Sequence, residues 1–271
     1  MAQTNEEGNT WSKRQQKFVR SLAHKKYRDA TGAFFAEGPK AVGELAMRFD
    51  CRLLVATRDW LDTMGAAVSA TEVAVVSRRE LEQVSCLTTP HEVLAVFDKP
   101  DTGMATLRRA ASAAETGLVL ALDGVQDPGN VGTIIRLADW FGINHVVCSP
   151  DTADAFAPKV VQSTMGALAR VEVAYADLPQ WLDSLSSEIP VYGTFMEGDS
   201  LWNTELSARG VIVMGNEGAG IGQQVASRVT RRLHIPSFPG EGQTTVESLN
   251  VAVASAVICG EFRRRQSLPL E

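Results

Sequence analysis

The chain has 271 residues, of which 45% are hydrophobic, and its 26 Lys and Arg residues stand against 32 Asp and Glu residues for a formal net charge of -6. This length and composition indicate a globular protein with one large domain or two modest ones. The acidic balance argues against a protein that coats nucleic acid by bulk electrostatic attraction, although a local basic patch could still bind it.

No sequence signal points to secretion or to membrane insertion. The first ten residues are polar, and the longest apolar run, residues 251–259, is too short to span a bilayer. The four cysteines lie far apart and form no CxxC pair: Cys51, Cys86, Cys148 and Cys259. We therefore expect reduced thiols in a cytoplasmic protein that has no membrane partner and no metal site.

Residues 13–28 are the most basic part of the chain and contain no acidic residue. Such a charge run is either a solvated helix face, which is the commoner outcome, or a surface that contacts a phosphate backbone. The candidates for phosphate contact are Lys13, Arg14, Lys17, Lys25 and Lys26, with Lys40 at the start of the next predicted helix.

The rest of residues 1–98 predicts a small α/β domain. A helix is predicted over residues 40–49, and Ser77 and Glu80 have the spacing of a capping box at the start of another. Strands are predicted at residues 53–56, 73–76 and 93–97. Residues 99–116 are rich in Ala and Ser and are predicted to be a linker, partly helical over residues 105–114.

A second domain is predicted over residues 117–271, and it opens with an uncharged apolar run at residues 118–122. Such a run is typical of a strand that is buried on both faces of a parallel sheet. Asn130 is predicted to be the N-cap of the following helix, which would begin near Val131. Arg136 projects away from the apolar stripe of this helix, formed by Val131, Ile134, Ile135, Ala138 and Phe141.

Asn130 and Arg136 are candidates for a ligand site, because ligands of open α/β sheets bind outside the carboxyl ends of the strands. Further strands are predicted at residues 145–148, 171–174, 191–194, 211–214 and 232–235. Helical patterns separate most of these strands, which predicts a parallel sheet covered on both faces.

Two later segments also exceed what a purely structural role requires. A glycine-rich turn, residues 215–222, follows the strand at 211–214 and would let the backbone approach a ligand closely. It matches neither a P-loop nor the dinucleotide-binding pattern, and its Glu217 is either functional or simply exposed. The final helix is predicted to begin near Ser248. Ser248 and Asn250 are either a helix cap and a satisfied polar residue or functional groups. Its many small residues would let it pack on several sides.

The segments DPGNVGTIIRLADWFG, MGNEGAGI and IPSF…ESLNVAVA, in this order, resemble the three signature motifs of the SpoU (SPOUT-class, TrmH-like) RNA 2′-O-ribose methyltransferases. The first domain, with KFVRSLAHKKYRDATGAFFAEGPKAV, resembles the substrate-binding domain often attached in this family. The resemblance implies S-adenosylmethionine as cofactor, a trefoil knot near the C-terminus of the second domain, a homodimer, and structured ribosomal or transfer RNA as substrate. The alternatives are an inactive RNA-binding protein and a base methyltransferase on the same scaffold.

The resemblance also implies roles for particular residues. The catalytic candidates are Asn130, Arg136, Glu217, Ser248 and Asn250. The cofactor would contact the backbone around Thr194, Gly215, Ile235, Leu249 and Asn250. Because a guanidinium is not deprotonated in proteins, we assign Arg136 an electrostatic role and leave the hydroxyl proton to phosphate, water or Glu217. Glu217 could instead be a structural acceptor for loop amides.

Two departures from the family pattern concern loops and basic residues. The loop between Ile235 and Ser248 is several residues longer than is common, with GEGQTT, residues 240–245, as the apparent insertion. Gln162 stands where the family often has a basic residue, and Thr164 replaces a common Ser. We therefore expect the RNA contacts to concentrate on the basic residues 13–28 and on Arg136.

Overall fold

The structure, a computed structural model, describes residues 11–239, 246 and 248–266, and the predicted insertion at residues 240–245 lies outside them. The chain splits into two compact units. Over their described residues, the first comprises Met1–Pro100 with Phe156–Ala169 and the second Asp101–Ala155 with Arg170–Glu271. Within the described ranges no helix is long and apolar enough to cross a membrane, and no group of three or more His, Cys, Asp or Glu side chains could hold a metal ion.

The helices and strands alternate along most of the chain. The helices are α1 (Lys13–Ser21), α2 (Lys25–Thr31), α3 (Pro39–Ala46), α4 (Arg58–Met64), α5 (Arg78–Glu82), α6 (Met104–Ala114), α7 (Pro128–Trp140), α8 (Pro158–Thr164), α9 (Leu178–Asp183), α10 (Gln223–Ala226) and α11 (Val251–Gln266). The strands are β1 (Ala33–Glu37), β2 (Cys51–Ala56), β3 (Ala70–Val75), β4 (Val93–Asp98), β5 (Leu118–Asp123), β6 (His145–Cys148), β7 (Glu172–Tyr175), β8 (Val191–Ser200), β9 (Gly210–Gly215) and β10 (Arg231–His234).

The first unit contains one mixed sheet in the strand order β1-β4-β2-β3. Strand β4 is antiparallel to β1 and β2, whereas β2 and β3 are parallel. The predicted strands and the capping box between Ser77 and Glu80 are confirmed. Sequence reasoning missed β1, whose five residues are all buried. Its burial pattern therefore lacks the alternation that marks a half-exposed strand.

The second unit contains a parallel sheet in the strand order β10-β8-β9-β5-β6-β7. This confirms the predicted parallel α/β domain and its strands. Strand β5 lies between β9 and β6, and its first five residues are buried. Because all strands point the same way, the loops that follow β5, β9 and β8 emerge at one edge of the sheet. That edge holds the candidate site.

The compact units divide the chain differently from the predicted segments 1–98, 99–116 and 117–271. Helix α6 lies in the predicted linker, yet its Leu107, Ala110 and Ala114 are buried in the same core cluster as Val119 and Trp181. Helix α8 interrupts the second domain in sequence but packs on β1 of the first unit. The Ala-rich composition of this segment fits both a flexible linker and a helix that packs closely through one apolar face. Composition alone therefore does not distinguish a linker from a packed helix.

Helix α11 packs against α7 and begins at Val251, not near Ser248 as predicted. At the far end of this pair, Arg263 donates from Nε to the carbonyl of Phe141 over 2.6 Å and from Nη2 to that of Gly142 over 3.0 Å. Cations near the C-terminus of a helix are stabilising because its last carbonyls lack intrahelical partners. Arg263 therefore ties the last helix to the end of α7.

Glu261 organises a second anchor at the end of α11. Its carboxylate, 7% exposed, accepts hydrogen bonds from Arg264 Nε at 2.8 Å and from Arg265 Nε at 2.6 Å. Arg265 in turn donates to the carbonyls of Leu201, Trp202 and Thr204. The hydrogen bond from Arg264, followed by that from Arg265, lowers the pKa of Glu261 from 4.5 to about 2 against the opposing effect of burial.

We expect Glu261→Gln to lower the free energy of unfolding at pH 7 by about 1–3 kcal/mol, because it removes charge-assisted hydrogen bonds from a buried position. A carboxyl with a lowered folded pKa stabilises the protein above its unfolded pKa, here near 4.5, and loses that contribution as the pH falls toward about 2. Urea unfolding of both proteins at pH 7 and pH 3.5 should therefore give a smaller difference at pH 3.5. An equal difference at both values would contradict the assignment.

Candidate active site

Three segments meet at the carboxyl edge of the parallel sheet. The β5–α7 loop and the β9–α10 turn are joined by a hydrogen bond from Asn216 Nδ2 to the carbonyl of Gly124 over 2.7 Å, and by one from the Gly222 amide to Asp123 Oδ2 over 2.7 Å. The third segment precedes α11 and reaches the first through Asn250. The structure therefore brings together all three segments that the sequence singled out.

Asp127, not Asn130 as predicted, is the N-cap of α7. Its side chain accepts a hydrogen bond from the Asn130 amide at 2.9 Å, and Pro128 occupies the first helical turn. Proline is favoured there because its fixed φ suits a helix start and its missing N–H has no intrahelical role. The helix therefore begins before Val131, and the Asn130 side chain is released from capping.

The Asn130 side chain links all three segments. Its Nδ2 donates to Glu217 Oε1 over 2.7 Å, and its Oδ1 accepts from Asn250 Nδ2 over 3.0 Å. Asn250 Oδ1 accepts from the amides of Ala252 and Val253, so Asn250 is the residue that caps α11. The cap fixes the orientation of the Asn250 side-chain amide, and the hydrogen bond from Asn250 fixes that of the Asn130 side-chain amide. Asn130 therefore presents its Nδ2 donor to Glu217. The Glu217 carboxylate is thereby held as an acceptor.

Asn216 builds the glycine-rich turn in which Glu217 lies. Its Oδ1 accepts from the amides of Gly218 and Ala219, both at 2.9 Å, and its backbone pairs with that of Gly220. Asn216, rather than Glu217, therefore accepts the loop amides. Sequence reasoning gave Asn216 no role, although an Asx turn is a recognised signal for Asn directly before a glycine turn. The Glu217 side chain is exposed and free to face a ligand.

Gly215 ends β9 where the turn folds back on it. A Cβ on Gly215 would lie 2.4 Å from the Gly220 carbonyl carbon and 2.4 Å from the Ile221 nitrogen. Both are backbone atoms, so neither can move aside as a flexible side chain would. The fold of this turn therefore requires glycine at residue 215. The close approach of the turn to a ligand, which the sequence predicts, stays a prediction.

The side chains of Arg136 and Ser248 are exposed to solvent in this part of the second unit. Arg136 is exposed on α7, off the buried stripe as predicted, and has no hydrogen-bond or ion-pair partner within the described residues. Ser248 is exposed and lies three residues before α11, so it is not the predicted helix cap. In the described part of the chain neither side chain is engaged in holding the fold.

The residues predicted to surround the cofactor lie on or next to three neighbouring strands and in the segment before α11. Thr194 is on β8, Gly215 ends β9 and Ile235 follows β10, and these strands are adjacent in the sheet. Thr194 and Ile235 are half-buried, whereas Leu249, next to Asn250, is 48% exposed. The edge thus offers backbone groups and apolar side chains together, which is the lining typical of small-molecule sites.

Asp123, the last residue of β5, holds the β9–α10 turn in place next to the site. Burial raises the pKa of its carboxyl, the hydrogen bond from Gly222 opposes that rise, and the nearby charge of Asp151 adds to it. This half-buried carboxylate accepts the Gly222 amide and so stabilises the β9–α10 turn. Sequence reasoning missed this role of Asp123. The sequence signals it only by placing an acidic residue directly after an apolar run.

The cysteine thiols contribute no reacting group to this edge. All four are free, and burial raises the pKa of Cys51 to about 11 and that of Cys259 to about 12. Cys148 is also buried, and burial raises its pKa further still. These thiols therefore stay protonated at neutral pH and are poor nucleophiles.

The predicted phosphate-contacting residues all belong to the first unit. Lys13, Arg14 and Lys17 are exposed on α1, and Lys26 and Lys40 are exposed on α2 and α3. Lys25 differs because its Nζ contacts Asp29 Oδ2 over 3.0 Å, and Asp29 also pairs with Lys99. Lys25 is thus less available for phosphate than the α1 cations.

We expect Asn250→Asp to slow the reaction of this site without destabilising the fold. The new carboxylate keeps the acceptor that caps α11 but loses the donor to Asn130, so two oxygens face each other. Losing such a hydrogen bond costs about 1–3 kcal/mol, or roughly 10- to 100-fold in rate. Single-turnover kinetics and thermal unfolding measure the two effects separately.

Asn250→Ala is the matched comparison. It removes both the link to Asn130 and the helix cap, so we expect it to lower the free energy of unfolding by about 1 kcal/mol as well as the rate. If Asn250→Asp reacts as fast as the unaltered protein, the link between Asn250 and Asn130 has no role in the reaction.

Comparison with known proteins identifies the family to which this chain belongs. The SpoU rRNA Methylase family model matches residues 117–260, and that of the MRM3-like substrate binding domain matches residues 13–95. The 23S rRNA (guanosine(2553)-2′-O)-methyltransferase RlmP of Bacillus subtilis is 32% identical over 246 residues, which are 90% of this chain and 94% of that protein.

Two solved structures resemble the whole chain. A TrmH-family protein from Porphyromonas gingivalis is 43% identical, with a TM-score of 0.82 over 94% of this chain and 99% of its own. The rRNA methyltransferase from Sinorhizobium meliloti, solved with bound S-adenosylmethionine, is 26% identical, with a TM-score of 0.79 over 97% of this chain and 99% of its own. Both of the described units are covered by these similarities.

Proposed function

The chain belongs to the SpoU family of S-adenosylmethionine-dependent RNA 2′-O-ribose methyltransferases, and we propose that its substrate is the ribose of a guanosine in large-subunit ribosomal RNA. The observation that carries this proposal is the pair of hydrogen bonds from Asn130 to Glu217 and from Asn250 to Asn130, which joins the three motif segments into one site. The choice of ribosomal RNA and guanosine is supported by the similarity to the Bacillus subtilis enzyme along nearly the whole of both chains.

The carboxyl edge of the sheet fits S-adenosylmethionine. Three adjacent strands offer backbone donors and acceptors, at Thr194 within β8, at Gly215 at the end of β9 and at Ile235 after β10. The exposed Leu249 offers an apolar surface for a purine. Gly215 lets the backbone of the glycine-rich turn pass directly against the end of β9. When bound, S-adenosylmethionine supplies an electrophilic methyl group on a sulfonium.

Arg136 orients the RNA and stabilises charge. Its exposed guanidinium can hold a phosphate of the target nucleotide with two parallel hydrogen bonds, and it always carries its proton. The ribose oxygen becomes negatively charged as its proton leaves, so a fixed cation nearby lowers the barrier. Arg136 acts through position and charge, and Ser248 lies exposed in the neighbouring segment as a further hydrogen-bonding group for RNA.

Glu217 is the acceptor that we assign to the hydroxyl proton. Its Oε1 is fixed by Asn130, whereas its Oε2 has no hydrogen-bond partner within the part of the chain that the structure describes. A general base must be held within reach of the proton that it takes, and the chain of amides from Asn250 through Asn130 to Glu217 provides such a hold. Transfer of the proton to Oε2 leaves the ribose oxygen free to attack the methyl carbon.

The two domains have separate tasks in this proposal. Residues 1–98 select the RNA, and residues 99–116 connect this domain to the next. Residues 117–271 carry out the transfer, with the family's trefoil knot near the C-terminus of that domain. Lys13, Arg14, Lys17, Lys25, Lys26 and Lys40 provide the positive charge of the first domain. The proposed location is the cytoplasm, where ribosomal RNA would be available to the enzyme.

A homodimer completes the proposed assembly. Helices α7 and α11 pack together, and this pair leaves Trp140 82% exposed and Val253 51% exposed. Large exposed apolar side chains on one helix pair are typical of a protein interface. Sedimentation velocity should give a dimer that Trp140→Glu weakens, and an unaltered protein that sediments as a monomer would contradict this assembly.

Calorimetric titration and methyl transfer together test the proposed function. We expect the protein to bind S-adenosylmethionine. When total RNA is offered as substrate, we expect the labelled methyl group to appear in the ribosomal RNA. Label in transfer RNA alone would overturn the substrate assignment. An absence of both cofactor binding and transfer would favour an inactive RNA-binding protein.

A further inference from the structure

A groove of about 490 Å³ lies on the first unit, between α1, α2 and the turn that joins them. It is distinct from the carboxyl edge of the second unit. The residues that line this α1–α2 groove include Arg14, Lys17, Phe18, Arg20, His24 and Tyr27. Cations and aromatic rings thus share one concave surface.

The turn beneath the groove is fixed from inside. Arg28 is only 2% exposed, and its Nη1 donates to the carbonyls of Leu22 at 2.7 Å and Ala23 at 2.9 Å. Arg20 Nε donates to the carbonyl of Gln83 over 2.8 Å, which ties α1 to the segment after α5. The groove is therefore held in shape before any ligand binds, which reduces the entropy lost on binding.

The aromatic rings of the groove remain accessible. Tyr27 is 46% exposed, and the His24 ring lies edge-on to it with the ring centroids 6.3 Å apart. Phe18 is half-buried and packs against the core of the unit, so it forms the apolar floor. Exposed rings beside cations are the surface that unpaired bases use for stacking.

The cations of the groove are concentrated on its α1 side. Arg14 and Lys17 are exposed, and neither has an ion-pair partner among the residues that the structure describes. On the α2 side, Asp29 binds Lys25 and Lys99 and so neutralises charge there. A ligand that fits both sides carries its negative charge next to α1 and a flat ring next to Tyr27.

We propose that the α1–α2 groove binds one unpaired nucleotide of the RNA substrate, with the base stacked on Tyr27 and its phosphate against Arg14 and Lys17. This inference rests on the proposed function for the identity of the ligand. A nucleotide within a duplex keeps its base stacked between neighbours and cannot reach Tyr27, so the groove selects a loop, a bulge or a single-stranded flank. It thereby positions the RNA for the methyl-transfer site.

Binding of the full-length protein to labelled RNA oligonucleotides tests the groove. The probes are a single-stranded oligonucleotide and a blunt duplex of the same sequence. We expect tighter binding of the single strand, and a loss of about 5- to 100-fold in its affinity for Tyr27→Ala, because stacking on one ring contributes that much per base. Tyr27→Phe keeps the ring and should bind like the unaltered protein. Met64→Ala, at an exposed position on α4, controls for general surface effects.

The salt dependence of binding separates stacking from charge. Each phosphate contact contributes about 0.7 to the slope of the logarithm of affinity against that of salt concentration for single strands. Arg14→Gln should reduce this slope by about that amount, whereas Tyr27→Ala and Arg58→Gln, an exposed control on α4, should leave it unchanged. Equal losses for single strand and duplex with Tyr27→Ala would overturn the stacking role.

The outcomes for the groove and for the proposed function are distinguishable. If the protein methylates ribosomal RNA but Tyr27→Ala binds the single strand as well as the unaltered protein does, the groove proposal is wrong and the function stands. If Tyr27→Ala weakens single-strand binding but no methyl transfer occurs, the groove binds RNA and the proposed function is wrong. Circular dichroism checks that each variant folds.

Discussion

Replacing Arg136 with alanine should lower the rate of methyl transfer by about 10²- to 10³-fold, which is the cost of removing one electrostatic contact to a developing oxyanion. The affinity for S-adenosylmethionine should stay nearly unchanged, because Arg136 is exposed on α7 whereas the proposed cofactor contacts lie on β8, at the end of β9, after β10 and directly before α11. Single-turnover kinetics and calorimetry measure these two quantities separately.

Two further variants sharpen this prediction. Arg136→Lys keeps the charge but cannot form two parallel hydrogen bonds, so we expect a rate between those of the alanine variant and the unaltered protein. Arg108→Ala removes an exposed arginine from α6 and should leave the rate unchanged. Equal losses of rate and cofactor affinity with Arg136→Ala would show that Arg136 serves the cofactor rather than the RNA.

Replacing Gly215 with alanine should damage both stability and cofactor binding. The added Cβ would lie 2.4 Å from backbone atoms of Gly220 and Ile221, so the whole turn must shift. Overpacking of this kind costs about 1–3 kcal/mol of unfolding free energy. Because the shift also displaces the strand end that we assign to the cofactor, affinity for S-adenosylmethionine should fall by at least about tenfold.

Gly218→Ala is the matched control in the same turn. A Cβ at residue 218 would have only the Asn216 side chain nearby, at 3.6 Å, which is an ordinary contact. Its melting temperature should therefore stay close to that of the unaltered protein. If Gly215→Ala unfolds and binds the cofactor as the unaltered protein does, the turn is not constrained in the way that its geometry indicates.

Sequence periodicity predicted the sheet of the second unit well because most of its strands are short apolar runs between helical patterns. Every strand predicted there is present in the structure, in a parallel sheet. The same reasoning missed β1 because full burial removes the alternation that identifies a strand. It also made α6 a linker, since only tertiary packing shows that Leu107 and Ala110 belong to the core.

The sequence predicted which residues form the candidate site, but it did not predict the hydrogen bonds that join them. Periodicity placed Arg136 correctly on the open side of α7, because that requires only local geometry. The cap of α7 was misplaced at Asn130, although Asp127 before Pro128 is the better signal. The hydrogen bond from Asn130 to Glu217 spans 87 residues of sequence and that from Asn250 to Asn130 spans 120. No local pattern contains such contacts.

Alkaline hydrolysis of methylated ribosomal RNA tests the central claim most directly. The purified protein is incubated with labelled S-adenosylmethionine and unmodified large-subunit ribosomal RNA, and the product is hydrolysed to completion. A 2′-O-methyl group blocks cleavage at its own linkage, so we predict that the label appears in an alkali-resistant dinucleotide whose first nucleoside is guanosine. Label recovered in mononucleotides would place the methyl group on a base and contradict ribose methylation by this site.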